Sequence, residues 1–443
     1  VRPEETCDLI LSTCLKEGAS DTVATVRQVE EVMIRFSNNE ITVTKNLRED
    51  GASIYVSIEG RNAWTDLADL SKRQIVAASR KLVSQAKRGP ASSTYAPLPR
   101  GPFEYDVHLL RQGEIELEPS TLVGWVEIAI DAARSSGAER VAGSLIARNT
   151  RVSLRTSGGA CGNAVKPSLE ISLRAFAGGN ASGHAVGVSS SNKRFDPEAV
   201  GREGGELARR AKNPVEGKSG TYDALLSPLV FADVASQVGT LSSAFYVEAG
   251  LSFLADKLGE RVASESFTLV DDPTLPGAYG SAPFDAEGLP TRRKTIIKDG
   301  VLTTYLHNST TAKRFGTEST ANAGLVVPHP FNLVIEPGDA HIDNMIGQID
   351  RGIYVTNDWY LRYQNWRTGD FSMIPRDAMF LIERGDIKCP IRDLRISDNM
   401  LRMYSALRVL SRERRWIKWW EVEIPTLAPA AVIEGTRFSQ STM

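Results

Sequence analysis

The sequence predicts an α+β protein: an N-terminal antiparallel sheet with helices drawn from two helix–meander–helix repeats, followed by a β-rich C-terminal domain. Three observations lead there. A helical apolar period followed by a run of strands occurs twice within residues 1–215. The strands of each run are consecutive and separated by turns, which gives antiparallel pairing with the helices segregated to one face. Farther on, strand and turn signals dominate from Phe267 to Ile387. The expected domains are residues 1–215, with repeats at about 1–88 and 102–215, and residues 220–443.

The first helix is expected from Pro3 to Glu17. Cys7, Ile10, Leu11 and Cys14 stand at i, i+3, i+4 and i+7, one buried stripe, and Gly18 stops it. Strands follow at Thr22–Val29 and Val32–Phe36, then a turn at Ser37–Glu40, then strands at Ile41–Lys45 and Ala52–Ile58. Ser71 with Gln74 reads as a capping box for a helix ending at Ala86. Arg88–Gly101, rich in Gly, Pro and Ser, is a linker by composition.

The pattern then recurs. Thr121–Arg134 is a helix, and Ser135–Val141 echoes Lys16–Thr22. Strands at Ser144–Ala147, Arg151–Arg155 and Leu169–Ala177 echo the first sheet. A helix near Pro197–Ala211 echoes the Ser71 helix, although Gly201, Gly204 and Gly205 lower its propensity. His184 closes a glycine-rich stretch from Gly178 that reads as a loop or bulge; no Lys-Ser/Thr follows it, so it is no phosphate loop. Asn213–Gly220 is the boundary between the domains. Pro228–Leu258 is apolar and reads as mostly helical. A late helix is expected from Ser397, with Met400, Met403, Tyr404, Leu407 and Leu410 on one face.

Between these lies a strong hairpin signal, Asp299-Gly300 flanked by Arg293–Ile297 and Val301–Leu306. Asn308 or Ser309 should cap the next short helix, and Gly316 should end it in the left-handed conformation.

Composition excludes several classes. Of 443 residues, 42% are apolar and 24% charged, the balance of an ordinary soluble protein. A net charge of −2 argues against a nucleic-acid-coating protein. Cys7, Cys14, Cys161 and Cys389 form no Cys-x-x-Cys pair, so neither a zinc ribbon nor a disulfide framework is suggested. The chain shows no run of ~18 apolar residues and no signal peptide, which leads to the expectation of a cytoplasmic protein.

Several stretches, taken in order, resemble the TldD/PmbA family, whose members are described as modulators of DNA gyrase and as metallopeptidases. They are Val262-Ala-Ser-Glu265, Leu269-Val-Asp-Asp-Pro273, Phe284-Asp-Ala-Glu-Gly288 and Ile296–Leu302. Arg351–Thr356, Thr368–Ser372, Phe380–Gly385, Pro390–Leu394 and Pro425–Leu427 extend the likeness through the C-terminal half. The likeness is looser in the N-terminal half.

The resemblance carries an expectation about zinc. Peptidase subunits of the family bear His-Glu-x-x-x-His on the helix before Val-Ala-Ser-Glu. The two histidines and a cysteine near the C-terminus hold Zn²⁺, and the Glu activates its water. Three protein ligands and an open position make a catalytic zinc, and a carboxylate beside it takes the proton. Here those positions fall on Ala235, Ser236 and Thr240; no histidine lies between His184 and His307, and the last cysteine is Cys389. The chain therefore resembles the non-zinc, PmbA/TldE-type subunit, with no catalytic or metal-binding residue of its own. The resemblance implies a zinc-bearing TldD-type subunit as partner in a heterodimer, or a homodimer, acting on unfolded or extended peptides. The alternative is a stand-alone regulator of DNA gyrase.

Two segments are candidates for holding an extended peptide at a strand edge: Arg292, Arg293 and Thr295 on the hairpin arm, and Thr368, Gly369 and Asp370. The five histidines, at 108, 184, 307, 329 and 341, have no metal-binding spacing. The tail interleaves Arg408, Arg412, Arg414, Arg415 and Lys418 with Trp416, Trp419 and Trp420. That mixture suits a core strand, a protein interface or a nucleic-acid surface. With Trp359 and Trp366, five of the seven tryptophans fall in the last 85 residues, which favours a dimer interface.

Overall fold

The computed structural model describes residues 2–441. Its first half follows one plan twice. The first copy is α1 (Pro3–Lys16), β1 (Asp21–Ser37), β2 (Glu40–Ile58), β3 (Arg61–Leu67) and α2 (Lys72–Ala86). A one-turn α3 (Val107–Leu110) leads to the second copy. That copy is α4 (Pro119–Ser135), β4 (Arg140–Thr156), β5 (Cys161–Ala177), β6 (Ala181–Ser189) and α5 (Pro197–Arg210). The six strands form one antiparallel sheet in the order β3-β2-β1-β4-β5-β6. The first strands of the two copies thus meet at its centre, from Val23 opposite Thr156 to Phe36 opposite Gly143.

The four long helices share one face of this sheet. Cys7, Ile10 and Cys14 of α1 and Leu82 and Val83 of α2 pack on Ala24, Val26, Ile54 and Val56. Leu122, Val126 and Ala129 of α4 pack on Ile34, Leu145 and Ile171. The glycines of α5, which lower its propensity, are what let it lie against α4. A Cβ on Gly201 would stand 2.1 Å from the Ala129 carbonyl oxygen, and one on Gly205 would stand 2.2 Å from that of Ala133.

The structure corrects several expectations. The paired short strands of β1, β2 and β4 are single long strands, because cross-strand charge pairs keep the polar middle in register: Arg48 with Glu30, and Arg148 with Glu31. Ser71 precedes α2, but its side chain makes no capping bond, and its own N–H donates to Asp69 Oδ1 (2.8 Å). His184 lies on strand β6, not in a loop.

The second half is organised around α6 (Pro228–Leu241). It begins with β7 (Val215–Glu216) and β8 (Gly220–Leu226); after α6 come α7 (Ala244–Glu248), β9 (Leu269–Asp271), β10 (Lys294–Lys298) and β11 (Val301–Leu302). Then follow α8 (Ser309–Phe315), β12 (Leu333–Ile335), α9 (Ile342–Gly347), β13 (Arg351–Val355), β14 (Trp359–Asn365), β15 (Asp370–Ile374), β16 (Met379–Glu383) and β17 (Asp386–Arg392). The chain ends in β18 (Leu394–Asn399), α10 (Met400–Ser405), β19 (Leu407–Ile417) and β20 (Thr426–Gln440). These fourteen strands form one branched sheet. β20 is its hub, paired with β8, β12, β18 and β19. The expected late helix is only α10: Ser397 belongs to β18, and Leu407 and Leu410 alternate into β19. Asp299 (φ 47°) and Gly300 (φ 79°) form the expected turn, though the arm after it is the two-residue β11. Asn308 and Thr311 make a capping box for α8, and Gly316 ends it at φ 64°. Among the described residues no helix is long and apolar enough to cross a membrane.

The two halves face each other across the open side of the first sheet. Arg27, Glu31, Arg148, Lys166 and Glu170 project from that side and line a cleft of about 680 Å³, walled by Tyr279, Phe284, His329 and Phe331 of the second half. A neighbouring recess of about 670 Å³ runs past Arg35, Ser172 and Arg174 to Trp359, Trp419 and Trp420. Glu170 and Lys418 line both, so the two are one long groove.

Candidate functional site

α6 is where the resemblance expects metal-binding side chains. It is enclosed nearly all round, with Val230, Phe231, Ala232, Val234, Ala235 and Leu241 in the largest core. Ser227 caps it, its hydroxyl accepting from the Val230 N–H (3.4 Å). Ala235 is fully buried, while Ser236, Gln237 and Thr240 line a cavity of about 380 Å³ with Tyr246, Arg362, Tyr363 and Glu421. An alanine methyl and two alcohols do not make a zinc site, which takes imidazole, thiolate or carboxylate. Among the described residues no three His, Cys, Asp or Glu side chains converge to hold a metal. His307, for example, sits beside Thr311 (3.3 Å) and the Phe315 ring, and Cys389 is half-buried on β17. The residues present do not fit the family's zinc.

The same helix carries something the sequence did not announce. Asp233, one turn before Gln237, is fully buried and within hydrogen-bonding reach of Asp358, also fully buried, in the loop after β13. Gln237 Nε2 donates to Asp233 Oδ1 at 3.5 Å. Asp233 Oδ2 and both oxygens of Asp358 find no other donor. Two such carboxyls must share a proton, because both cannot ionise side by side in an apolar core. Burial is the main cause that raises Asp233, to about 7, and it also holds Asp358 well above the usual carboxylate range, with Asp233's charge next.

The motif-bearing carboxylates have more partners. Asp271, fully buried on β9, pairs with Lys294 Nζ (3.0 Å) and accepts from Asn322 Nδ2 (2.7 Å) and the N–H groups of Phe331 (2.8 Å) and Asn332 (3.0 Å). Asp285 accepts the N–H groups of Glu287, Leu289 and Ala323, each at 3.0 Å. Glu287 accepts from the N–H and hydroxyl of Ser309 at the start of α8. These groups clamp loops together; they leave no free carboxylate for chemistry.

The expected peptide-holding residues are not gathered in one place. Arg293 reaches Asp272 (3.7 Å) and Glu336 (3.5 Å), Arg292 bonds the Ser319 carbonyl, and Thr295 lies within β10. Thr368, Gly369 and Asp370 form a turn fastened by Asn399, whose Nδ2 donates to Thr368 O (2.7 Å) and Asp370 Oδ1 (2.9 Å). β15 has β14 on one side and β18 on the other, so Thr368–Ser372 offers no open edge. β11 ends its sheet, yet Leu302 exchanges backbone hydrogen bonds with Gly259 and Glu260 (2.8 and 3.0 Å), which cover it.

Ser172, His184, Asn357 and Asp377 come together on the groove wall in an order that resembles a catalytic array. Ser172 Oγ is 2.9 Å from His184 Nε2, and Asn357 Nδ2 is 3.2 Å from His184 Nδ1 and 2.5 Å from Asp377 Oδ2. Asn357 Oδ1 accepts the N–H groups of Arg376 (3.3 Å) and Asp377 (3.1 Å), which fixes the amide with its NH₂ toward the ring. Nδ1 must therefore accept, the ring proton sits on Nε2, and His184 donates to Ser172. Burial lowers His184 to about 4. The imidazole cannot take the serine proton, so the array is a polar strut between the halves.

The tail is a strand and its continuation. Trp419 is buried against Trp359 (5.2 Å) and His184 (4.6 Å), and Trp416 is half-buried on β19. Arg415 is tied to Glu203 of α5 (2.6 Å). Only Trp366 (42% exposed) and Trp420 (61%) of the five late tryptophans face solvent, so most of that aromatic surface serves the chain's own packing.

A family model described as the PmbA/TldA metallopeptidase C-terminal domain matches residues 219–440. A metalloprotease of Methanothermobacter thermautotrophicus is 33% identical over 215 residues, 47% of this chain and 47% of that one. Metalloprotease PmbA of Escherichia coli O157:H7 is 34% identical over 155 residues, 34% of this chain and 32% of the relative. The chain spans about half, or less, of the length of the curated relatives it matches. Two solved structures share the fold. A protein described as a modulator of a DNA gyrase from Thermotoga maritima and TldE from Thermococcus kodakarensis each superpose with a TM-score of 0.84 at 21% identity, covering 98% of this chain and 100% of theirs.

Proposed function

The chain belongs to the PmbA/TldD metallopeptidase family, and from that membership we propose that it is the zinc-free subunit of a cytosolic two-subunit peptidase. It pairs with a zinc-bearing TldD-type chain and holds an extended peptide that the partner cuts. One observation carries the reading: the helix position that would hold zinc is filled by Ala235, Ser236 and Thr240, inside an otherwise intact fold. The likeness to TldE supports the pairing. The long groove supports peptide binding, since an extended chain fits between a sheet face and a second wall. Four unpaired thiols fit a reducing compartment.

The test is reconstitution. The purified chain should contain no stoichiometric zinc and leave an unfolded peptide intact. Mixed with a zinc-bearing TldD-type subunit, it should form a heterodimer by light scattering and restore cleavage. One tightly bound zinc per chain, cleavage by the chain alone, or a partner equally active without it would overturn the reading.

A further inference from the structure

Two cations on the floor of the groove are bonded to no carboxylate. Arg27 on β1 and Lys166 on β5 line the same cleft, and neither makes an ion pair or a side-chain hydrogen bond among the described residues. Their neighbour is matched: Arg148, on the same face, is held by Glu31. The floor's carboxylates are matched too: Glu31 by Arg148, and Glu170 by the Tyr279 hydroxyl (3.2 Å). Glu49 is the diagonal neighbour of Arg27 across β1 and β2, about 7–8 Å away and making no ion pair with it, and lies three strands from Lys166 in the row Glu49–Val29–Thr150–Lys166, about 14 Å at ordinary strand spacing. The His329 ring closes the cleft from the other wall, and burial keeps it neutral.

Lys166 is half-buried and Arg27 exposed, so the two like charges share the cleft with no bonded anion, and an anion bound between them would relieve their repulsion. Burial, then the charge of Arg27, presses Lys166 down to about 8. A polyanion is a poor occupant, because Glu31, Glu49 and Glu170 stand along the same floor. A single carboxylate on a chain that is otherwise neutral meets the two cations and avoids those acids. The apolar walls, Phe284 and Phe331 here and Trp359 and Trp419 farther along, suit the side chains of such a peptide.

We propose that Arg27 and Lys166 bind a carboxylate of the extended peptide lying in this groove, so that the subunit positions its ligand by one anionic group. The peptide identity of the ligand rests on the function proposed above; the anion site does not.

The experiment uses the whole chain without any partner, so a failure to pair with a zinc-bearing subunit cannot be confused with it. Isothermal titration compares acetylated penta-alanine with a free C-terminus, the same peptide as its C-terminal amide, the amide of acetyl-Ala-Ala-Asp-Ala-Ala, and inorganic phosphate. The free acid should bind at least ten-fold more tightly than the plain amide. Lys166→Met and Arg27→Met, which keep the apolar stems, should erase that preference while thermal unfolding stays close to the parent; Lys166→Arg should retain most of it. If the Asp peptide matches the free acid, a side-chain carboxylate serves as well; if it is weaker, the site reads the terminus; both support the site. Equal binding of acid and amide, no binding of any peptide, phosphate binding as tight as the acid, or a preference that survives in Lys166→Met overturns the proposal.

Discussion

Two groups of buried acids in the second half of the chain look alike in the sequence and are opposites in the structure. Asp271 gives its oxygens to an ammonium, an amide and two backbone N–H groups. Asp233 and Asp358 are buried as deeply and have little but each other. A buried charge is tolerated when it is paired and hydrogen-bonded, and otherwise it is neutralised by a proton. The first group is a clamp that needs its charge. The second is a pair that must give one up. Any variant or pH change that treats the two groups alike would break this distinction.

The largest effect should come from Asp271→Ala. It leaves Lys294 buried without its partner and strips acceptors from Asn322, Phe331 and Asn332, which joins β9, β10 and the loop before β12. Removing one member of a buried pair costs about 3–5 kcal/mol. Urea unfolding at pH 7 should show a loss of that size. A loss under ~1 kcal/mol would mean that the clamp is dispensable.

Asp358→Asn should do the reverse. Asparagine fills the same space and can donate to Asp233 without a shared proton. The sign follows from the raised values. Folded Asp233 and Asp358 keep their protons above the pH at which the unfolded chain releases them, near 3.8. The parent's stability therefore falls as pH rises from about 4 through the folded value of about 7 and beyond. The variant should be spared most of that fall. A gain on the order of 2–4 kcal/mol is expected at pH 9, about 1–2 kcal/mol at pH 5, and almost none below pH 4. Parallel stability curves for parent and variant between those pH values would show that the pair does not share a proton.

Much of the fold was legible because it follows from local chemistry. The Asp299-Gly300 turn, the Asn308 cap and the α1 stripe of Cys7, Ile10 and Cys14 each follow from one residue's conformational preference or from one period. The doubled unit was legible as a repeat, and the family likeness lay in Asp271, Asp285 and Glu287, all of which accept hydrogen bonds from neighbouring loops. What was not legible is what depends on distant partners. The join of Glu30–Glu31 into one long strand depends on arginines at positions 48 and 148. β19 reads as a helix extension until Ile433 is seen opposite Leu407. Of the candidate site, the lack of histidine on α6 was visible, but Asp358 and the unpaired Lys166 were not. The one signal for the dyad was Asp233 itself, a lone acid in the apolar run from Leu229 to Val238.

Glu287 lies between the two groups and should give the smallest effect. It is hydrogen-bonded like the clamps, to the Ser309 N–H (3.1 Å) and hydroxyl (2.5 Å), yet burial and then the nearby Asp285 raise it to about 7. Between its unfolded value of about 4.5 and that folded value, the native chain holds a proton the unfolded chain has lost. This group therefore adds a decline in stability across that window and none above it. Glu287→Gln removes the titration, a gain of roughly 3 kcal/mol at pH 8 if nothing else changed. The Ser309 bonds favour the charged form, and their effect is already contained in that folded value. At pH 8 the variant should therefore be more stable than the parent by about 2–3 kcal/mol. At pH 5 the parent's Glu287 is protonated, and both chains hold Ser309 through neutral groups; the difference should be under about 1 kcal/mol. Equal stability of the two chains at pH 8, or a loss there that vanishes at pH 5, would place Glu287 with Asp271 as a clamp that needs its charge.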